Sequence, residues 1–196
     1  MKPLNHFVVS VEKRFKDSIE VGGKELFLDS KFNEFEHRIA YGEIVGAPVR
    51  HNTGADKGDT LFFHHHVITN ANLALGNNEY ICMYGTGLND VKQAIAYRSK
   101  KDGKLRMLSD WIFVEPIEAE DGDIVSEGGI VLETAQKRIR KDVARVIEPD
   151  EELIRNGVKA GDVVGFDRAS DYQMTLDDGS IVYRMRSEDI SYVEES

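Results

Sequence analysis

Three consecutive histidines, His64-His65-His66, are the residues of this chain best suited to bind a metal ion. Imidazole nitrogen is a common ligand of zinc, nickel and copper. We expect these histidines to extend a strand that starts at Thr60, which puts His64 and His66 on one face and turns His65 away. Two imidazoles are too few for a zinc site, and no third ligand is near in sequence. Two interpretations stay open: a metal site completed by a distant histidine, or histidines at a rim or subunit interface.

Other residue types that could carry chemistry have simpler explanations. Cys82 falls inside a predicted strand, and no activating neighbour marks it as a nucleophile, so we expect a packed core thiol. The run YGTGLND, from Tyr84 to Asp90, lacks the third glycine and the βαβ unit of a dinucleotide site. Asp177-Asp178 precede Gly179 and predict a hairpin turn. We therefore expect no enzyme, no cofactor and no resident metal.

An apolar tripeptide in a polar segment is the strongest sign of binding. Gly128-Gly129 precede Ile130-Val131-Leu132, and the acidic run EAEDGD lies just upstream at 118–123. A charged, glycine-containing segment cannot bury enough apolar surface to order by itself. Paired glycines also permit the positive φ angles of a tight hairpin. The pattern favours a segment that orders on a partner, and the alternative is a buried strand preceded by a Gly-Gly turn.

Composition and charge limit the classes of partner. The 196 residues are 41% hydrophobic and contain a single cysteine, which excludes an internal disulfide and suits a reducing compartment such as the cytoplasm. No run of about 18 apolar residues predicts a membrane helix, and the first residues do not resemble a secretory signal. The net charge of −10 argues against nonspecific binding of nucleic acid, because a polyanion is repelled.

The elements that must position these residues are short strands. Runs of β-branched and aromatic residues, separated by Gly, Asp, Asn and Pro, favour an all-β barrel or sandwich. The predicted strands are 7–11, 41–45, 60–68, 79–84, 94–97, 111–114, 143–147, 162–166, 180–185 and 190–193. Weaker helical patterns cover 88–96 and 134–146.

The two halves of the chain match each other in order, which predicts a duplicated domain. Residues 1–104 carry 14 Lys/Arg against 13 Asp/Glu, whereas residues 105–196 carry 11 against 22, and all six histidines lie in the first part. We predict one domain at 1–98, a linker at 99–107 and a second domain at 108–196. The matching segments are 5–12 with 109–116, Gly22-Gly23 with Gly128-Gly129, 41–48 with 143–150, 57–63 with 160–166, 79–83 with 181–185, and 95–97 with 190–192.

The second half resembles a GroES-type co-chaperonin subunit. The resemblance rests on DWIFVEP, the acidic loop that ends in GGIVL, ARVIEP, the KAGDVV turn and the terminal SEDISYVEE, and it covers nearly all of 108–196. The first half resembles a more divergent form of the same domain, and GDTLFFHHHV is similar to the GroES-like proteins of phages. The resemblance implies two tandem GroES-like irregular β-barrels in a homo-oligomeric ring.

The resemblance also implies a partner. It would be an ATP-bound, GroEL-type chaperonin ring, capped by this chain to assist protein folding. The mobile loop would span 118–139, and Gly128, Gly129, Ile130, Val131 and Leu132 would bind the chaperonin. Leu26-Phe27-Leu28, after Gly22-Gly23, is either a second docking tripeptide or part of an ordinary strand over 25–29. The rival functions are a structural or assembly protein, perhaps viral, that has lost chaperonin binding, and a metal-binding β-protein.

Overall fold

The computed structural model describes residues 2–13, 18–27, 39–84, 92–118, 139–167 and 172–194. These residues form mostly antiparallel β-strands, so the predicted all-β class is confirmed. The chain divides into two compact units. Unit 1 comprises residues 1–109 and 175–180, and unit 2 comprises residues 110–174 and 181–196. Within the described ranges, no helix is long and apolar enough to cross a membrane.

Unit 1 is built on a seven-stranded antiparallel sheet and a separate two-stranded hairpin. Its elements are β1 (Phe7–Ser10), β2 (Ser18–Val21), β3 (Lys24–Phe27), β4 (Tyr41–Gly46), β5 (Thr60–Phe63), α1 (His66–Thr69), β6 (Ala74–Gly76), β7 (Glu79–Cys82), β8 (Ala94–Arg98) and β9 (Leu105–Met107). The sheet order is β6-β7-β1-β4-β5-β8-β9, and β2 pairs with β3. Its core is apolar and includes Phe7, Val9, Ile44, Leu61, Phe63, Val67, Tyr80 and Cys82.

Unit 2 is built on a six-stranded antiparallel sheet. Its elements are β10 (Trp111–Glu118), β11 (Ile139–Glu148), α2 (Glu151–Arg155), β12 (Val163–Phe166), β13 (Tyr172–Thr175), β14 (Ile181–Arg186) and β15 (Ile190–Val193). The sheet order is β13-β14-β10-β11-β12-β15. All four residues of β10 from Trp111 to Val114 are buried, so both faces of this strand are covered along that stretch. The core includes Ile112, Val114, Ala144, Val146, Val164, Phe166 and Met185.

The two sheets have the same strand order over six strands, since β6, β7, β1, β4, β5 and β8 correspond in sequence and position to β13, β14, β10, β11, β12 and β15. Their irregularities also correspond. The pairing of β1 with β4 shifts register between Val8 and Val9, and the pairing of β10 with β11 shifts between Phe113 and Val114. Bulges are specific features of a sheet rather than defects, so the agreement reaches single residues.

Both sheets also share a Gly-Asp turn, which lies directly before β5 in unit 1 and directly before β12 in unit 2. Gly58 has φ +92° and donates its N–H to the Ile44 carbonyl at 2.9 Å, and a carboxylate oxygen of Asp59 accepts the N–H of Asp56 at 2.8 Å. The left-handed φ explains why glycine precedes the aspartate. The corresponding bonds in unit 2 join Gly161 to Val146 and Lys159 to Asp162, each at 2.8 Å.

Two expectations about secondary structure are corrected by the structure, and a third is confirmed. The strand predicted from Thr60 to Ile68 ends at Phe63, because the helical turn α1 buries both Val67 and Ile68, which a strand would place on opposite faces. The helix predicted over 134–146 is wrong for its described part, where β11 pairs with β10 and β12. The segment 99–104 is a turn, as predicted, and it leads into β9, which pairs with β8 in the sheet of unit 1.

Candidate functional site

The connection between β1 and β4 contains an exposed hairpin. Strands β2 and β3 pair from Ser18 opposite Phe27 to Val21 opposite Lys24, so two residues form the turn. These residues are Gly22 and Gly23, with φ of +59° and +76°. A two-residue hairpin turn of this kind needs positive φ at both positions, which glycine adopts without steric strain. The Gly-Gly pair thus defines the tip of the hairpin.

The hairpin presents apolar side chains to solvent. Phe27 is 83% exposed and Leu26 is 49% exposed. One polar contact braces the hairpin, since the Ser18 hydroxyl donates to a carboxylate oxygen of Glu25 at 2.7 Å. An isolated two-stranded hairpin is marginally stable in water, and exposed apolar side chains favour association. The hairpin therefore has the properties of a surface that gains stability from a partner.

The strand interpretation of Leu26-Phe27-Leu28 is met only in part. Leu26 and Phe27 belong to a strand, but that strand pairs with β2 outside the seven-stranded sheet. Leu28 lies outside the described residues. The described side chains of β3 are all exposed, so this is not a strand that fills the core of the sheet. The docking interpretation of this tripeptide stays a prediction.

The matching connection of unit 2 runs from β10 to β11. Its last described residues, Glu118 and Ile139, are Cα partners across these two strands. The predicted docking residues Gly128, Gly129, Ile130, Val131 and Leu132 lie outside the described residues. Their chain position is nevertheless fixed by the flanking strands. In sequence, Gly128 to Leu132 fall between β10 and β11, and the Gly22-Gly23 hairpin falls between β1 and β4, the corresponding strands of unit 1.

The three histidines form a cluster, contrary to the expected alternation. His64 follows β5, His65 has helical φ and ψ of −54° and −20°, and His66 begins α1. The ring centroids of His64 and His65 are 4.2 Å apart, and those of His64 and His66 are 4.7 Å apart. The expectation that His65 points away was wrong, because the chain turns at this residue.

The remaining candidates have structural roles or lie outside the described residues. Cys82 is fully buried in β7, and burial raises the pKa of its thiol well above the ordinary value, which confirms the packed core thiol. Hydrogen bonds from Ser180 lower the pKa of Asp178, whose carboxylate therefore belongs to the turn that was predicted. Of the YGTGLND segment only Tyr84 is described, and it contacts Phe7 edge to face.

A buried arginine in unit 2 was not foreseen. The guanidinium carbon of Arg184 lies 4.8 Å from the ring centroid of Trp111 and 4.5 Å from that of Tyr172. Arg184 is 6% exposed, and burial lowers its pKa to about 10. Two aromatic faces stabilise the charge through cation–π contacts. In the sequence of β14, Arg184 looks like any polar residue of a strand, so nothing in the sequence indicates that it is buried.

Comparison of the chain with protein-family models and with curated proteins finds no match. Its own sequence and geometry are therefore the basis for a functional assignment.

Proposed function

We propose that this chain is a co-chaperonin: a tandem pair of GroES-like barrels that caps an ATP-bound, GroEL-type chaperonin ring and assists protein folding. One observation carries the proposal. The two sheets share a strand order over six strands, and in each the sequence between the same two strands, β1 and β4 or β10 and β11, contains a Gly-Gly pair. Apolar residues follow the pair directly in unit 2 and after Lys24-Glu25 in unit 1. A duplicated domain with a docking segment in each copy accounts for both features.

The proposed contacts are apolar. Ile130-Val131-Leu132 is the principal docking tripeptide, and Leu26 with Phe27 is the second. Burying an aliphatic side chain on a partner contributes about 1.5–3 kcal/mol, whereas ordering a flexible segment offsets much of that gain. One segment then binds weakly, and several segments held in one assembly bind tightly through their effective concentration. Reversible capping needs this combination.

The sheet edges support a homo-oligomeric ring. Strand β9 covers the outer edge of β8 in unit 1. Strand β15 of unit 2 corresponds to β8, and within the described residues no strand covers its outer edge, since it pairs with β12 alone. Tyr192 and Val193 of this strand are 50% and 38% exposed. An open edge strand recruits another strand, and a head-to-tail contact between copies closes into a ring. We assign the β15 edge to that contact.

Two domains per chain constrain how such a ring meets a sevenfold partner. Pairs of domains cannot tile seven positions, because seven is odd. Either unit 2 alone forms the ring that meets the chaperonin, or the assembly breaks sevenfold symmetry, or its symmetry is different. In each case the chain itself needs no catalytic group, because ATP hydrolysis belongs to the chaperonin. A cytoplasmic location suits both the single buried cysteine and this partner.

The test is a binding assay with a purified GroEL-type chaperonin. Native mass measurement with ATP and without nucleotide should detect a complex that forms with ATP. If no complex forms with ATP or without nucleotide, the rival function, a structural or assembly protein of the same fold, is favoured.

A further inference from the structure

The turn after β5 brings the imidazoles of His64, His65 and His66 together on one side of the chain. The coordinating nitrogens of the three rings all lie within 4.8 Å of one another. We propose that these histidines form a binding site for a first-row divalent transition metal, with Cu²⁺, Ni²⁺ and Zn²⁺ as the class of ligand. The site is independent of the proposed chaperonin contacts.

The geometry is close to what coordination requires. In a tetrahedral site with metal–nitrogen bonds of about 2.0–2.1 Å, ligand nitrogens are about 3.3 Å apart. The coordinating nitrogens here lie within 4.8 Å of one another, so binding a metal in this geometry requires side-chain rotation that brings them closer. His66 is exposed, whereas His64 and His65 are half-buried. An incoming ion can therefore reach the cluster from the solvent side, where His66 lies.

The backbone that carries the cluster is anchored. Val67 and Ile68, directly after the histidines, are 0% and 2% exposed. The N–H of His64 donates to the Gln93 carbonyl at 2.8 Å, which fixes the start of the turn. A site whose backbone is held in place by core packing loses little entropy when it binds, because the ligands are already gathered.

The hydrogen bonding of His64 indicates which nitrogen would coordinate. Its Nδ1 accepts the N–H of His66 at 3.3 Å, a long hydrogen bond. Because Nδ1 accepts, the ring proton of the neutral imidazole is on Nε2. A metal at Nδ1 replaces this weak bond and leaves the proton in place, and the released N–H of exposed His66 can bond to water. Three imidazoles leave at least one coordination position for water or a group from another molecule.

The experiment uses the full chain, stripped with chelator, and Cu²⁺ as the probe, because copper binds nitrogen sites most strongly among these ions. Isothermal titration at pH 7.5 should give one strong copper site per chain. Electron paramagnetic resonance of the complex should show coupling to three imidazole nitrogens. Binding should weaken at pH 5.5, because protons compete with the metal for imidazole nitrogen.

The decisive variant is His66→Ala, because an exposed side chain can be removed without disturbing the core. It should weaken copper binding about tenfold or more and reduce the coupled nitrogens from three to two. The matched control is His51→Ala, a half-buried histidine outside the cluster, which should leave both readouts unchanged. Absence of one-to-one binding, or an unchanged nitrogen count in His66→Ala, would overturn the proposal.

Discussion

The buried carboxylate of Asp59 accepts the backbone N–H of Lys100, with 2.9 Å between Oδ1 and the nitrogen. Its Oδ2 accepts the N–H of Asp56 at 2.8 Å, and the residue is 4% exposed. One side chain therefore joins the turn before β5 to the turn after β8. Asp162 has the same place in unit 2, yet among the described residues its carboxylate holds only the N–H of Lys159.

This difference predicts unequal effects of equivalent substitutions. Asp59→Ala should lower the free energy of unfolding of unit 1 by about 2–4 kcal/mol, because two backbone donors lose a charged, buried acceptor. Asp162→Ala, the matched control, should lower that of unit 2 by about 1 kcal/mol. Urea denaturation followed by far-UV circular dichroism reports both units, and the fluorescence of Trp111, the single tryptophan, reports unit 2. Equal losses in the two variants would contradict the assigned role of the Lys100 contact.

Replacing the tripeptide in unit 2 should separate binding from folding. The triple variant Ile130→Ser, Val131→Ser, Leu132→Ser should abolish ATP-dependent chaperonin binding, because the apolar area that drives docking is removed. Its unfolding midpoint, followed by Trp111 fluorescence, should remain unchanged. Native mass measurement gives the binding result. Unchanged binding would show that the tripeptide does not dock on the chaperonin. Loss of folding would favour the alternative that the tripeptide is part of a buried strand.

The unit 1 hairpin should contribute to binding without contributing to stability. Phe27 is 83% exposed, so Phe27→Ser should change the free energy of unfolding by less than about 0.5 kcal/mol. If the hairpin docks, the variant should weaken chaperonin binding about tenfold or more, since each lost contact is multiplied around an assembly. The control is Val49→Ser, an exposed apolar residue outside the hairpin at 51% exposure. Similar binding by both variants would restrict docking to unit 2.

The unfolding free energy should decrease in mild acid through His6. The Nδ1 atom of His6 accepts the N–H of Tyr84 at 3.3 Å, and burial, together with nearby His51, lowers the pKa of His6 below 6.5. Between the folded and unfolded pKa values the unfolded chain binds more protons. The stabilisation is therefore complete above about pH 6.5 and is lost as the pH falls through the folded pKa.

Urea denaturation from pH 7.5 to pH 5 measures this effect. In His6→Gln the decline should be shallower, because the titrating group is gone while a side-chain acceptor remains. His51→Gln should reduce the decline by a smaller amount, since it removes only the lesser cause of the lowered pKa. If His6→Gln retains the full slope, another group is responsible.

The sequence predicted the positions of the strands better than it predicted which residues of the two halves correspond. The matches of 41–48 with 143–150 and of 57–63 with 160–166 agree with the register of both sheets. The first-strand match made Phe7 the counterpart of Trp111. The bulges at Val8/Val9 and Phe113/Val114 instead make Val8 the counterpart of Phe113, and therefore Phe7 that of Ile112. A one-residue shift exchanges the buried and exposed faces of a strand, and letter similarity at bulged, aromatic strands does not resolve it.

The exposed hairpin was visible in part. Gly22-Gly23 signalled a turn that needs positive φ, which is a local property of the chain. Strand β3 pairs with β2 and not with a strand of the seven-stranded sheet, and Phe27 is left exposed. This outcome depends on which distant strands pair with one another. Such competition between distant segments is not encoded in the period of one run of residues.

The sequence by itself determined the all-β class, the Gly-Asp turns and the Gly-Gly tip, because alternation of apolar residues and glycine backbone freedom are local properties. Only the tertiary structure decided that three histidines converge. Val67 and Ile68 both enter the core, which requires a helical turn directly after β5, and that turn swings His65 towards His64 and His66. The burial of two later residues, rather than the histidines' own preferences, thus sets the geometry of the cluster.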